Sequence, residues 1–574
     1  MPVHNADLAA AFEEIADRLE VEGANPFRIR AYRNAARTLA ELPQEARALL
    51  ERGDDLTRLP GIGDDLAGKI REIVATGHCG LLDRLRSELP PAVSELLRIP
   101  GLGPKRVSAL YRDLEVQTVE QLYRAARDGR IRALHGFGAT TERHILDAVR
   151  AQVSQPHRVQ LAIAARPAER IAAELRRVPG VAQVTVAGSF RRMRETVGDL
   201  DIVATADAPD AVMRRFTTDG EVAEVLSAGR TRASIVLGSG LQVDLRVVAP
   251  AQYGAALVYF TGSKAHNIAI RRIAQARGLK INEYGVFRGG ERIAGDDEDS
   301  VYRSLGLPWI PPELREDRGE IDAARAGALP QLVELADLRG DLHARAGAGD
   351  ARRGLRDMAL AARAMGFEYL AITGQARRPG RAGGLDAAGL ARQGEAIDAL
   401  NAELDGITLL KGVEAGILAD GRLDLPDAVL GRLDLVVGAV HDGFHLSRGR
   451  QTERILRAMD RPHFTLLAPP TGRLIEPREP YDVDMPRIIG HARERGCFVE
   501  ISAHPDRLDL LDIHCRMARE AGVLVSIDSD AHAAAELANL RFGVGQARRG
   551  WLEKNDVLNT RPLAALRPLL QGTL

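Results

Sequence analysis

From Ala6 to Ala151 apolar residues recur at spacings of three and four, and glycine and proline are confined to short interruptions. That period predicts helices throughout and no strand. From about Val181 to Val248 the pattern changes to the short β-branched runs VAQVTVAG, LDIVATA, ASIVLG and LQVDLRVV, which predict strands of one sheet in a mixed α+β domain. The stretch RRIAQARGLKINEYGVFRGGERIAGDDEDSVYRSLGLPWIPPELRE, beginning at Arg271, predicts a helix, a short hairpin and a proline-rich exit, with a boundary between Pro311 and Arg325. After an Ala- and Gly-rich connection, residues 336–574 alternate helices with the apolar runs YLAIT, LLKGVEAGIL, DLVVGAV, CFVEIS and VLVSID. Such alternation predicts a mostly parallel sheet or barrel, with a site built from polar residues at its strand ends.

The totals narrow the class. A chain of 574 residues exceeds what one core supports, and at ordinary domain sizes it implies about three to five domains. With 45% hydrophobic and 27% charged residues the composition is that of a soluble globular protein. A formal net charge of -1 excludes a globally basic coat but leaves room for local cationic stripes. The three cysteines, Cys79, Cys497 and Cys515, show no C-x-x-C spacing, which excludes a disulfide framework and a structural zinc site and fits a reducing cytoplasm. The opening residues MPVHNADLAAAFEEIADRLE lack a cationic segment followed by an apolar run, and no long apolar run follows. We therefore expect a cytoplasmic protein, neither secreted nor membrane-spanning.

Three stretches share one pattern: LPGIGDDLAGKI (59–70), IPGLGPKRVSAL (99–110) and LHGFGATTERHI (134–145). Their glycine pairs, Gly61 and Gly63, Gly101 and Gly103, Gly136 and Gly138, allow a tight turn into a helix. A phosphate can then approach the N–H groups at the helix start, which fixes a nucleic-acid backbone without reading bases. Lys105, Arg106 and Arg143 supply cations near two of the turns. Lys69 in the first motif is a separate case: an amine of lowered pKa there could form a Schiff base with an opened abasic sugar.

In GDLDIV the strand period sends Asp199 and Asp201 to one face and Leu200 and Ile202 to the other. In LQVDLRVV the same alternation turns Asp244 away from Leu241, Val243, Leu245 and Val247, and a neighbouring strand would bring it beside the first two. Three clustered carboxylates repel unless cations are present, and hard oxygen ligands suit two Mg2+ or Mn2+ ions. Ahead of them, Gly188 permits a turn while Ser189 and Arg192 can hold the terminal phosphates of a nucleotide. Downstream, YFTGSKAHN supplies Tyr259 and Phe260 to pack on a sugar or base, a turn at Gly262, and Asn267 to meet a base edge; Lys264, His266, Arg271 and Arg272 enrich the following helix in cations.

On these motifs the chain resembles the bacterial family X DNA polymerases, the group of DNA polymerase beta, carrying a C-terminal PHP (polymerase and histidinol phosphatase) domain. The resemblance implies that Asp199, Asp201 and Asp244 are the catalytic metal-binding triad of a palm, and that Gly188, Ser189 and Arg192 bind the incoming nucleotide. It assigns Tyr259, Phe260, Gly262 and Asn267 to sugar and base, Arg271 to the template side, and Lys69 to a deoxyribose-phosphate lyase. Asp65, however, stands where the family can carry a phosphate-binding lysine. The implied architecture is multidomain: an all-α helix-hairpin-helix region made of a lyase-like domain (1–80) and a fingers-type DNA-binding region (81–152), an α+β nucleotidyltransferase palm with thumb (153–318), a linker (319–335) and a β/α PHP-like barrel (336–574).

PHP domains resemble a seven-stranded β/α barrel whose strand ends hold three metals. Here His343, Asp350, Glu414, His441, Asp530 and His532 match that ligand pattern, but Arg345 stands at the second histidine of H-x-H, Gly374 and Gln375 replace an Asp-His pair, and Pro469 replaces a histidine. Neither a guanidinium nor a proline can stand in for a neutral imidazole ligand. We therefore expect a degenerate metal site, with weak or lost 3'-5' exonuclease chemistry.

The expected function is template-directed DNA synthesis from deoxynucleoside triphosphates, filling short gaps in primed duplex during repair. Other nucleotidyltransferases, acting on RNA ends, share the G-S and D-x-D core, but the helix-hairpin-helix repeats and YFTGS disfavour them. A DNA-binding repair scaffold is disfavoured by the intact aspartates. No feature of the sequence names a protein partner.

Overall fold

The computed structural model describes residues 5–22, 24–42, 46–88, 96, 102–114, 116, 119–134, 137–138, 141–143, 145–146, 158–345, 351–377 and 384–571. They fall into two compact units, Met1–Pro156 and His157–Leu574.

The described residues of the first unit are helices and turns, as the spacing of three and four predicts. Helix ends follow local chemistry. Asn25 accepts a hydrogen bond from the Phe27 N–H and Pro26 fills the first turn, where an N–H has no partner anyway, so the helix Pro26–Glu41 starts there. One core joins Leu8, Phe12, Ile15 and Leu19 to Tyr32, Leu39 and Ile70. A second joins Leu102, Val107, Leu110 and Leu122 to Ile131 and Phe137.

The second unit begins with a two-residue ladder of β1 (Val159–Gln160) with β3 (Thr196–Val197). Its main sheet contains β2 (Val181–Val186), β4 (Asp199–Ala206), β5 (Val222–Ala228), β6 (Arg232–Leu237) and β7 (Gln242–Val248), in the order β2-β4-β7-β6-β5. Four of these coincide with the apolar runs of the sequence. The fifth, β5, is an edge strand exposed along nearly its whole length, so no buried face imposes a period on it. Next come β8 (Leu279–Asn282), β9 (Gly285–Arg288) and β10 (Glu291–Ala294), three antiparallel strands where a hairpin was expected. Gly254 of the helix Tyr253–Thr261 lies flush on the chain before the helix Glu298–Ser304: a Cβ there would fall 2.0 Å from the Asp297 carbonyl carbon.

Residues 319–335, expected as a linker, are instead partly built into the core. The helix Glu320–Arg325 buries Ile321 and Ala324 beside Val301, Tyr302 and Trp551, and buried Glu320 meets His266 Nδ1 at 2.6 Å. Its alanines are therefore packing residues and not signs of a loose connection.

The remaining strands, β11 (Gly340–Ala344), β12 (Tyr369–Gln375), β13 (Thr408–Gly416), β14 (Leu435–Ala439), β15 (Leu466–Leu467), β16 (Phe498–Ser502) and β17 (Val525–Asp528), pair in chain order, every pair parallel. They nearly close into a barrel. At the seam the Leu342 N–H donates to Asp528 at 2.8 Å and the Arg345 N–H to the Ala531 carbonyl at 2.7 Å. Buried Asn559 staples the two end strands: its Nδ2 donates to the carbonyls of Gly340 (2.8 Å) and Ile527 (2.7 Å), and its Oδ1 accepts from the Ile527 N–H (3.0 Å). The barrel also enters the core of the five-stranded sheet, where its Ile475, Leu508 and Phe542 lie with Leu200, Ile202 and Val243.

Asn559→Ala would leave three buried backbone groups without that partner. We expect a loss of about 3 kcal/mol, read as a lowered thermal midpoint of the full chain; an unchanged midpoint contradicts the staple.

Candidate active site

Asp199 and Asp201 lie on β4, and β7 runs parallel beside it with Asp201 directly opposite Asp244. Strand alternation puts all three on the face away from Leu200, Val243 and Leu245, which are buried. Burial, then the neighbouring Asp199 and Asp244, push the Asp201 carboxyl up to about 7. Burial and Asp244 also raise Asp199. Asp244 is held by Ser234 Oγ, from the opposite position on β6, and by Gln242 Nε2 at 2.9 Å. The carboxylates thus share a face, and among the described residues none is ion-paired, although the charges of Arg158, Arg246 and Arg192 act on Asp199 or Asp201; hard oxygens of this kind suit divalent ions.

The turn before β4 is pressed against this face. Gly188 has φ +64, and a Cβ on it would fall 2.8 Å from Asp201 Oδ2, so glycine is required twice over. The Ala187 N–H donates to the Asp201 carbonyl at 2.6 Å. Ser189 and Arg192 follow in the short helical turn Gly188–Arg191 and its C-cap. Arg192 Nε donates to Glu316 at 3.1 Å and Nη1 to the Thr261 carbonyl, leaving Nη2 for a ligand. Gly262, at φ +69, would place a Cβ 3.1 Å from Arg192 Nη1, which ties the YFTGS turn to the same arginine.

Beyond that turn, the rings of Tyr259 and Phe260 meet edge to face at 5.0 Å, and the Arg246 guanidinium stacks on Phe260 at 4.5 Å. Asn267 Nδ2 donates to the Tyr259 carbonyl at 2.7 Å, while its buried Oδ1 has no hydrogen-bond partner. Arg271 Nε donates to the Asn267 carbonyl at 3.1 Å, and Lys264 is exposed. His266 departs from the expectation of a cationic ligand-facing helix: it is fully buried, between Glu320 and the Tyr302 hydroxyl. Sequence reasoning also missed a buried knot. Glu298 takes both Arg191 nitrogens at 2.8 Å and Arg315 at 2.8 Å, and although burial opposes its charge, these guanidiniums pull it down to about 2. Its members are remote in sequence and no local pattern links them.

The second cluster lies at the barrel strand ends, where ligand atoms of His343, Glu414 and Asp530 all fall within 4.8 Å of one another, the one such trio among the described residues. It is closed by cations of its own. Arg345 Nη2 donates to Glu414 and, at 3.3 Å, to Asp530. His343 puts Nδ1 2.6 Å from Glu500 and Nε2 3.1 Å from Glu414. Burial works against a charge on that ring, but the carboxylates Glu500, Glu414 and Asp530 raise its pKa well above the ordinary value. An imidazolium donating from both nitrogens has no lone pair for a metal. His441 Nε2 lies 2.7 Å from Glu414 Oε1, and the half-exposed His532 3.6 Å from Asp530. At Gly374 a Cβ would fall 2.6 Å from Leu385 Cδ1, at the end of that side chain. Asp350 lies outside the described residues. Among the described residues, Arg345 and His343 thus pair with the carboxylates of the one trio whose ligand atoms lie close enough together to hold an ion. Glu500 went unnoticed because it sits mid-strand in the apolar run CFVEIS.

In the first unit, Gly63 caps the helix Asp64–Thr76, whose first turn carries Asp64 and Asp65. Those carboxylates already complement the helix dipole and would compete with a phosphate. The helix Pro104–Leu114 after Gly103 has no acidic residue in its first turn, and Arg106 stacks on Phe137 at 5.8 Å. Gly138 accepts the Glu142 N–H at 2.9 Å; Gly101, Gly136 and the Lys105 side chain lie outside the described residues. Lys69 is ion-paired with Asp65 one helical turn away, and although burial opposes it, that carboxylate and Tyr32 raise its pKa.

Over 573 residues, 99% of this chain and 100% of the other, the chain is 38% identical to the DNA polymerase/3'-5' exonuclease PolX of Bacillus subtilis. The chain belongs to the family X DNA polymerases. Within this family X chain, residues 256–316 match the DNA polymerase beta thumb, 3–79 a helix-hairpin-helix domain, and 93–151 a SAM-like helix-hairpin-helix tandem. Probable phosphatases of Caldanaerobacter subterraneus (32% identical) and Thermoanaerobacter sp. (28%) each align over 168 residues, 28% of this polymerase, covering 64% and 66% of their own length. These alignments fall in the C-terminal part of the chain. No described helix is long and apolar enough to cross a membrane.

A carboxylate raised from 3.8 to about 7 by folding destabilises the metal-free fold increasingly between those pH values and fully above them. Asp201→Asn removes that penalty. Its melting temperature in a chelator should exceed the parent's by a margin that grows from about pH 4 to pH 7 and then levels; a margin absent at pH 8 contradicts the assignment.

Proposed function

We propose that this family X polymerase extends a primer 3'-hydroxyl in short DNA gaps during repair, using deoxynucleoside triphosphates. The observation that carries the reading is the parallel register of β4 and β7, which sets Asp201 beside Asp244 with Asp199 on the same face. Asp199, Asp201 and Asp244 would hold two divalent ions, Mg2+ or Mn2+. When bound, such ions activate the attacking oxygen and neutralise the leaving pyrophosphate. Ser189 and the free nitrogen of Arg192 bind the triphosphate tail, which Gly188 lets approach Asp201. Tyr259 and Phe260 pack against sugar and base, Gly262 keeps the YFTGS turn close to Arg192, Asn267 offers its unpartnered oxygen towards the base, and Lys264 and Arg271 line the strand beyond. The glycine turns of the first unit grip the backbone, and the motif at Gly103 is better suited than the one at Gly63, because carboxylates occupy the latter's helix start.

The barrel contributes no nuclease in this reading. Arg345 and the His343 imidazolium neutralise Glu414 and Asp530 in the place of metal ions. Lyase chemistry is likewise disfavoured: a Schiff base needs a neutral amine, and Asp65 keeps Lys69 protonated.

On gapped DNA with Mg2+ or Mn2+, the parent chain should insert nucleotides and Asp201→Ala should insert about 10³-fold more slowly. DNA binding without extension would favour a scaffold, and extension of RNA ends alone another nucleotidyltransferase. On primed DNA with Mn2+, the Asp201→Ala chain should show no 3'-5' digestion above background. Digestion that disappears on adding Glu414→Ala would overturn the silent barrel.

A further inference from the structure

The helix Leu540–Arg549 belongs to the barrel, yet its last residue reaches the nucleotide turn of the sheet domain. Buried Arg549 donates through Nη1 to the Arg192 carbonyl at 2.9 Å and to Glu316 Oε1 at 2.9 Å, and through Nη2 to Asp512 at 2.7 Å. Glu316 is the carboxylate that holds Arg192 Nε. One barrel side chain therefore fixes both the backbone of Arg192 and the partner that aims its guanidinium. Two further contacts seat the same turn. Met193, at φ +55, lies on Gly545 of that helix, where a Cβ would fall 2.4 Å from Met193 Cε. Arg473, from the loop after β15 that carries Pro469, donates to Glu195 at 2.9 Å.

We infer that Arg549 is a positioning residue for the incoming nucleotide, aiming Arg192 at the triphosphate from the barrel domain. This rests on the reading of Ser189 and Arg192 as the triphosphate site. A guanidinium can serve the carbonyl and two carboxylates together because its nitrogens lie in one rigid plane; a lysine ammonium cannot match that fork. The barrel thereby acts on the reaction of the neighbouring domain.

The test is steady-state insertion of one nucleotide into gapped DNA by the full chain, by Arg549→Met and by Arg541→Met. Arg541, at the other end of the same helix, pairs with Glu169 of the sheet domain and controls for docking of the barrel. Arg549→Met should raise the nucleotide KM about tenfold, the value of one charge-assisted hydrogen bond, with kcat moving less than about threefold. Arg541→Met should leave both constants at the parent values. An unmoved KM in Arg549→Met, or an equal rise in both variants, overturns the inference. Should Arg549→Met fail to fold, Arg549→Lys is measured instead and should show an intermediate KM; a parental value there overturns the inference equally. A parent chain that inserts nothing defeats the polymerase reading and the inference with it, whereas an active parent with no KM shift defeats the inference alone.

Discussion

Carboxylates taken out of water beside one another demand a positive charge, and both polar centres of this chain are answers to that demand. In the sheet domain Asp244 receives the neutral donors Ser234 and Gln242, and burial and the repulsion of Asp199 and Asp244 raise Asp201 towards neutrality. Such a face stores an unmet need for cations. In the barrel the need is met from within, because Arg345 bridges Glu414 and Asp530 while His343 sits between Glu500 and Glu414. The tighter grouping of the barrel cluster follows from that internal compensation: opposite charges draw together where like charges alone stay apart.

The same contrast separates the two polar centres of a chain that joins a polymerase core to a barrel similar to probable phosphatases: among the described residues, the barrel centre pairs its carboxylates with side-chain cations and the sheet-domain centre does not. The strand framework of the barrel is intact, with every pair parallel and the seam stapled by Asn559. The departures from the expected ligand pattern are single side chains at strand ends. The guanidinium at position 345 pairs with Glu414 and Asp530, and the Leu385 side chain lies against Gly374. The fold survives because none of these positions belongs to the apolar core.

Much of this was legible in the chain because local rules carry it. The helical period of the first unit, the D-x-D strand and the glycine at position 188 each follow from neighbours a few residues away. The register that sets Asp201 against Asp244 needed only the assumption that two apolar strands pair. The edge strand β5 escaped notice since water surrounds it and no periodic face results. The supposed linker at 319–335 was misread because its alanines signal small contacts against Tyr302 and Trp551 as readily as a loose tether. The Glu298 knot, the Glu500 partner of His343 and the Arg549 bridge unite residues far apart along the chain, and charge pairing at such separations leaves no periodic trace.

Phe542, Ile475 and Leu508 sit among the buried side chains of the five-stranded sheet although their backbones belong to the barrel. The two architectures thus share one interior, and neither owns a complete apolar surface of its own. Exchange of the barrel between relatives is therefore constrained at a seam remote from any reacting atom: a transplanted barrel must bring matching knobs for a foreign cavity. Recombination within this lineage should consequently respect that shared interior.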